Sequence, residues 1–341
     1  CTCCQAGFGK SGARFIVSTI FAVNMIGWFG IQNGVCGEAF SNAMLAMTGW
    51  DIPVVVSNTI WGIIMLLTAV YGVHALEKLD KISIPLLMII MCYGTFLAFK
   101  VYGTGNLNDE GTVQSMSFMS GVALSFNFTA VGTITGPDYT RFQKSRKDTV
   151  KSVFYGVFPM GVITLIMGIV LTKLSGQYDI SMVLIEVGLP LLGIIALVIS
   201  TWTTNSTNAY SAGLNIVMAL KLKDNRRREA TLISGIVGIV LCDLGILGHV
   251  EGVLSLLSYV VCPVGGVILA DYWVVGKGKA KNFRPQDGVN WAGVIAWALG
   301  AFISYTLVKI EFVGIIIGFV IYLIAERFIP SASRDNAENI A

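Results

Sequence analysis

The chain has 341 residues, of which 55% are hydrophobic and only 13% charged, with 38 glycines. That balance excludes a water-soluble domain and fits closely packed membrane helices. The net charge of +3 is no sign of nucleic-acid binding, because the basic residues lie between apolar runs and read as topology determinants, and no nucleic-acid partner is expected.

Apolar runs near the ~20 residues that a bilayer requires follow one another at 15–36, 53–76, 83–102, 116–135, 153–174, 187–222, 231–250, 252–275, 289–308 and 312–329. They predict an all-α, multi-pass membrane protein with about ten helices in one transmembrane domain, residues 1–330. A polar cytoplasmic tail follows at 331–341. Of the 23 Lys and Arg, only Lys100, Lys173 and Lys309 fall on one set of loops, and the other twenty alternate with them. By the positive-inside rule both ends of the chain are cytoplasmic and the protein sits in the cell membrane. The chain opens on Cys-Thr-Cys-Cys rather than Met, which predicts residues upstream. Cys36, Cys92, Cys242 and Cys262 lie in or near apolar runs and read as small core residues. Cys1, Cys3 and Cys4 lack the partners of a tetrahedral metal site.

Three segments carry chemistry. In the first span, Trp28 and Gln32 stand four apart on one helix face. An aromatic plate beside an amide suits a flat heterocycle, and equally suits a helix interface. In the fourth, residues 125–142 are rich in Asn, Thr and Gly and contain Gly136-Pro137. Two readings stand: a discontinuous helix that exposes backbone to a solute, or a Pro-terminated helix whose Thr hydroxyls bond their own backbone. The third is the sequence Ser-Thr-Trp-Thr-Thr-Asn-Ser-Thr-Asn at 200–208, polar at every position except Trp202 and set inside an apolar span. Polar groups at such depth face protein or a wet cavity. Thr203, Thr204 and the Ser200 carbonyl offer hard, uncharged oxygens suited to Na⁺, while Asn205 and Asn208 offer amides to a nucleobase edge. Glu186 and Asp243 are ionisable residues toward the outer ends of spans and are suspects by default. His74 and His249 sit outside mid-span. No nucleophile–base pair, phosphate loop or metal-ligand spacing is present in the sequence, which disfavours an enzyme, and no resident cofactor is implied beyond a coupling Na⁺ or H⁺.

At these segments the chain resembles the nucleobase:cation symporter-1 family, nearest its cytosine permeases. Trp28-Phe29-Gly30-Ile31-Gln32 is similar to the family's third-helix motif. Residues 134–142, Ile-Thr-Gly-Pro-Asp-Tyr-Thr-Arg-Phe, are similar to the close of the sixth helix. Trp202-Thr203-Thr204-Asn205 with residues 209–214 is similar to the eighth. Residues 263–272, Pro-Val-Gly-Gly-Val-Ile-Leu-Ala-Asp-Tyr, are similar to the tenth and are the most specific.

The resemblance implies a leucine-transporter-like, five-plus-five inverted-repeat fold of the APC superfamily with two extra C-terminal helices. Its first two helices would be absent from this chain, so that the polypeptide alone would not transport. It further implies that Trp28 and Phe128 sandwich a planar ring, with Asn127 at a broken-helix position. Gln32 matches the amide of hydantoin-type members, whereas cytosine-type members place an amide where this chain has Met25. Ser200, Thr203 and Thr204 match the family's sodium site. The function implied is import of a nucleobase, cytosine first, by cation symport and alternating access. Purines, hydantoin or allantoin and hydroxymethylpyrimidine are alternative substrates. A non-transporting sensor or an inactive remnant is the alternative of another class.

Overall fold

A computed structural model describes residues 2–108, 117–140, 143–177, 179–283 and 285–329. The predicted tail, Cys1, Met116, Arg141, Phe142 and Arg284 lie outside the described residues, as do the side chains of His74, Thr133 and Pro137 to Tyr139. Ten long helices account for the ten predicted spans: α1 (Thr2–Thr48), α2 (Val54–Tyr71), α3 (Val73–Tyr102), α4 (Phe118–Thr140), α5 (Arg146–Ser175), α7 (Pro190–Ala219), α8 (Arg227–Asp243), α9 (Ile246–Val275), α10 (Trp291–Val308) and α11 (Val313–Phe328), with a short α6 (Ile180–Glu186) before α7. Seven are long and apolar enough to cross a membrane by length and composition alone. Of the other three, α7 carries the polar stretch, and α8 and α11 have 17 and 16 residues.

Several boundaries differ from the sequence reading for identifiable reasons. The predicted loop at 77–82 is helical, because the chain turns earlier at Gly72 (φ 92°) and a Lys81–Glu77 pair of 2.7 Å bridges one turn of α3. Helix α5 begins at Arg146, where the Ser145 hydroxyl caps the Asp148 amide. Helix α8 stops at Asp243, two residues before Gly245 (φ 87°), so Asp243 sits at a helix end and not inside a span. Helix α4 runs unbroken through Gly136 and Pro137 to Thr140. The discontinuous-helix reading is therefore corrected, and Asn127 lies in regular helix. Cys92 is exposed, not core, while Cys4, Cys36, Cys242 and Cys262 are buried.

Helix α1 is the axis of the molecule. Its regular part, Ser18–Thr48, has 31 residues, about 46 Å at 1.5 Å per residue, and packs on α2, α7 and α8. Helices α1 and α7 are antiparallel: Ala209 clusters with Phe29, and Ala212 with Phe21 and Met25. A second unit is built from α9, α10 and α11, with α4 laid against α9. Here Pro263, inside α9, packs against Gly300, Gly314 and Gly318. A third group joins α3, α5 and α6 around Ala98, Leu171, Leu174 and Val183.

At one end of the bundle the Arg227 guanidinium lies over the Tyr210 ring at 4.9 Å and against Gly72. At the other, Tyr102 donates to Glu186 at 2.6 Å and Lys173 to the Leu107 carbonyl at 2.9 Å. Glu186 is thus a tie between helix ends.

The N-terminal segment is pinned by a glycine. Gly9 (φ 76°, ψ 161°) breaks the helix so that Lys10 N–H reaches the Gln286 carbonyl and the Phe8 carbonyl accepts from Asn290 N–H. A Cβ there would lie 2.5 Å from the Gly288 carbonyl oxygen. Gly9→Ala is expected to destabilise the protein by about 1–3 kcal/mol, because that backbone region is essentially closed to side chains. Thermal unfolding in detergent reads the effect, with Gly12→Ala as control, where a Cβ meets only side-chain atoms at 3.4 Å or more.

Candidate substrate site

The site is built where α1, α4 and α9 meet. Trp28 projects from α1 at 8% exposure and packs on Ile31 and on Leu254, Ile246, Leu247 and Val250 of α9. Phe128 comes from α4, one hundred residues away in sequence, and its ring centroid lies 5.6 Å from that of Trp28 with a 55° tilt. The two predicted plates do meet. They do so in direct aromatic contact, whereas a ring held face to face between them needs planes roughly 7 Å apart, two carbon contacts of about 3.5 Å. The rings must part to admit a substrate.

Beside Phe128, Asn127 is buried and its Oδ1 has no hydrogen-bond partner among the described residues. Gln32, one turn beyond Trp28, lines a cavity of about 1040 Å³ whose walls include Glu38, Asp179, Asp243, Ser200 and Thr201. Asp243 accepts a hydrogen bond from Asn58 Nδ2 at 3.2 Å. Among the described residues the cavity therefore carries carboxylates, amides and hydroxyls and no Lys, Arg or His. Met25 is buried in the core cluster with Phe21 and Ile134 and does not line this cavity.

The polar stretch on α7 splits by face. Asn205 is fully buried, and its Nδ2 donates to the Phe29 carbonyl at 3.1 Å while its Oδ1 lies 3.5 Å from Asn208 Nδ2. The Ser206 hydroxyl donates to the Met65 carbonyl at 3.0 Å, and Trp202 Nε1 to Thr68 at 2.9 Å. These groups stitch α7 to α1 and α2. On the opposite face the Thr203 and Thr204 hydroxyls both donate to the Ser200 carbonyl at 3.0 Å. The three oxygens predicted for a cation are thus brought together, in a helical back-bonding pattern that a cation would have to displace. Among the described residues no group of three or more His, Cys, Asp or Glu could hold a metal ion.

Sequence pattern does not single out Asn24, Asn33 or Asn58, amides in apolar runs that the fold buries in α1 and α2. Asn33 donates to the Asn58 carbonyl at 2.9 Å. The available signal for Asn24 is its spacing, four residues before Trp28 on the same face.

The family model for permeases of cytosine and purines, uracil, thiamine and allantoin matches residues 2–326. A cytosine permease of Escherichia coli (strain K12) is 31% identical over 317 residues, covering 91% of this chain and 72% of the relative. An allantoin permease of Bacillus subtilis (strain 168) is 25% identical, covering 96% and 77%. Among solved structures, the nucleobase-cation-symport-1 family transporter MHP1, in a closed conformation with bromovinylhydantoin bound, superposes with a TM-score of 0.75 at 19% identity, over 96% of this chain and 78% of that one. The fold is accordingly the leucine-transporter-like one expected from the motifs. With nearly its whole length matched, this multi-pass membrane protein belongs to the nucleobase:cation symporter-1 family of permeases, a family of transporters and not of enzymes.

Proposed function

We propose that the protein imports a neutral planar heterocycle of nucleobase type together with a cation, by alternating access, across the cell membrane. The carrying observation is the contact between Trp28 and Phe128, two rings from distant helices placed beside a buried amide with an unmet acceptor. Nothing in α1–α4 packing alone requires that combination. In this reading the substrate slides between the two rings. Gln32, Asn127 and Asn208 supply hydrogen bonds around its edge, and Asn205 holds Asn208 and the Phe29 turn in position. The cation takes the Ser200 carbonyl with the Thr203 and Thr204 hydroxyls. Coupling is reciprocal: an ion that orders this turn of α7 favours the base, and the base favours the ion to the same degree. The Arg227 contact with Gly72 puts the α2–α3 turn and the start of α8 at one end of the bundle, which the positive-inside rule assigns to the cytoplasm.

Uptake of radiolabelled cytosine by cells expressing the complete coding sequence, with and without Na⁺, tests the proposal. Sodium-dependent accumulation supports it; uptake driven by a proton gradient and indifferent to Na⁺ removes the sodium site. Replacing both Thr203 and Thr204 by valine is expected to raise the Na⁺ concentration for half-maximal uptake at least about tenfold, two neutral hydrogen-bonding oxygens being lost, with little change in expression.

A second substrate reading, hydantoin or allantoin, is favoured by one observation. The amide near Trp28 that faces an open volume is Gln32, while Met25 is packed in the core. Competition of unlabelled allantoin against cytosine separates the two.

A further inference from the structure

We propose that Asn24, together with Asn127 across the α1–α4–α9 seam, reads the edge of the substrate, its carboxamide being kept free of protein partners for that purpose. This rests on the reading of Trp28 and Phe128 as substrate plates. Asn24 has no exposed surface, and neither its Nδ2 nor its Oδ1 has a hydrogen-bond partner among the described residues. The other buried asparagines differ. Asn33 and Asn58 each donate through Nδ2 while their Oδ1 atoms are unmet, and Asn205 is engaged at both atoms, so Asn24 alone of these four is unpaired throughout. An amide withdrawn from water without hydrogen bonds is strongly unfavourable, so a wholly unpaired one in a native interior calls for a function.

Its position supplies one. Asn24, Gly27, Trp28 and Ile31 form one face of α1. Along it a Cβ on Gly27 would meet Leu257 of α9, while Trp28 and Ile31 pack on Leu254. On α4, Asn127, Ala130 and Ile134 share a face, and Ile134 closes on Gly265 of α9 and clusters with Phe21 and Met25. Asn24 and Asn127, the first unpaired at both atoms and the second at Oδ1, therefore lie on the faces of α1 and α4 that border α9, one a turn from Trp28 and the other next to Phe128.

A carboxamide offers a donor and an acceptor in one plane. It matches a ring edge that carries adjacent complementary groups, an N–H beside a C=O or a ring nitrogen beside an amino group. The substrate class is thus a neutral lactam- or amidine-edged heterocycle. A site that leaves such groups unpaired rejects analogues lacking the edge far more sharply than stacking does.

A structural asparagine and a substrate-reading one predict opposite signs. In the purified full chain, Asn24→Leu replaces an unpaired buried amide by an apolar group of similar size. Its melting temperature without ligand is expected to equal or exceed that of the parent. Binding of whichever of cytosine, uracil, hypoxanthine and allantoin the parent binds is expected to weaken at least about tenfold. Asn24→Ala should weaken binding equally, and serves if the leucine overpacks. A lower melting temperature in both variants, or unchanged affinity in either, overturns the proposal. Trp28→Ala in the same assay separates the two levels: binding lost there but kept in Asn24→Leu defeats Asn24 alone, and binding kept in both defeats the plates.

Discussion

Phe128→Ala is expected to weaken substrate binding by about 5- to 150-fold, the 1–3 kcal/mol of one aromatic–base stacking contact, and to leave the melting temperature nearly unchanged. Trp28→Ala is expected to lose binding as well, but for two reasons at once. Trp28 is 8% exposed and holds Ile31, Leu254 and Val250 around it, so truncation also opens a core cavity at roughly 3–5 kcal/mol. Phe128 is 56% exposed and contributes little to the core. The asymmetry in burial makes Phe128 the cleaner probe, and Trp28→Phe the cleaner variant on α1, since it retains a ring. The measurement is isothermal titration with cytosine or allantoin, run beside thermal unfolding without ligand. Loss of affinity in Phe128→Ala at constant stability fits a plate. A fall in stability at constant affinity would make the pair a helix clamp and remove the main support for the site. Because the rings touch at 5.6 Å, ligand must also separate them. Indole fluorescence should therefore change on binding in the parent, and in Phe128→Ala only at the higher ligand concentrations that its weaker binding requires.

Much of the fold is legible in the sequence, because bilayer thickness imposes a length on every apolar run and basic loops number the crossings. Each of the ten predicted spans has its helix. What slips are the ends. A charged segment such as 77–82 reads as loop by hydropathy yet is helical when Glu77 and Lys81 pair along one face, and a glycine at Gly72 sets the turn instead. Pro137 misleads in the other direction. Proline disfavours a helix interior, but α4 continues three residues past it.

The site is only half legible, for a different reason. In residues 200–208 nearly every position is polar, so no periodicity separates the faces. Only packing shows that Asn205 and Ser206 bond the Phe29 and Met65 carbonyls while Thr203 and Thr204 turn to Ser200. Asn24 is the converse. Its spacing from Trp28 is the one signal in the sequence, and what distinguishes it from the other amides of α1 is the absence of protein partners among the described residues, a property of three dimensions. The aromatic plates lie between. Trp28 has a readable amide neighbour, but nothing local pairs it with Phe128.

The motif at 263–272 has the sharpest resemblance, and its Gly266 packs on α11 rather than on the plates. A Cβ on Gly266 would lie 2.1 Å from the Ile315 carbonyl oxygen and 2.7 Å from the Phe319 amide nitrogen, both backbone atoms of α11. No rotamer relieves a clash with backbone, so Gly266→Leu must push α9 and α11 apart. Close approach through small residues is what holds helices together in lipid, where the apolar driving force of water is missing. The expected result is loss of at least about 3 kcal/mol, the upper end for overpacking, seen as failure to purify as a monodisperse species or as a melting temperature lower by roughly 6 °C or more. Gly168→Leu on α5 should be silent, since nothing lies within 4 Å of a Cβ there. Any Gly266→Leu protein that survives should bind ligand with the parent's affinity, because Pro263 and Gly266 contact α10 and α11 rather than the Trp28 seam. A well-folded variant with lost binding would instead mean that the spacing of α9 and α11 is transmitted to Leu254 and the plate above it, making this motif part of the gate and not its foundation.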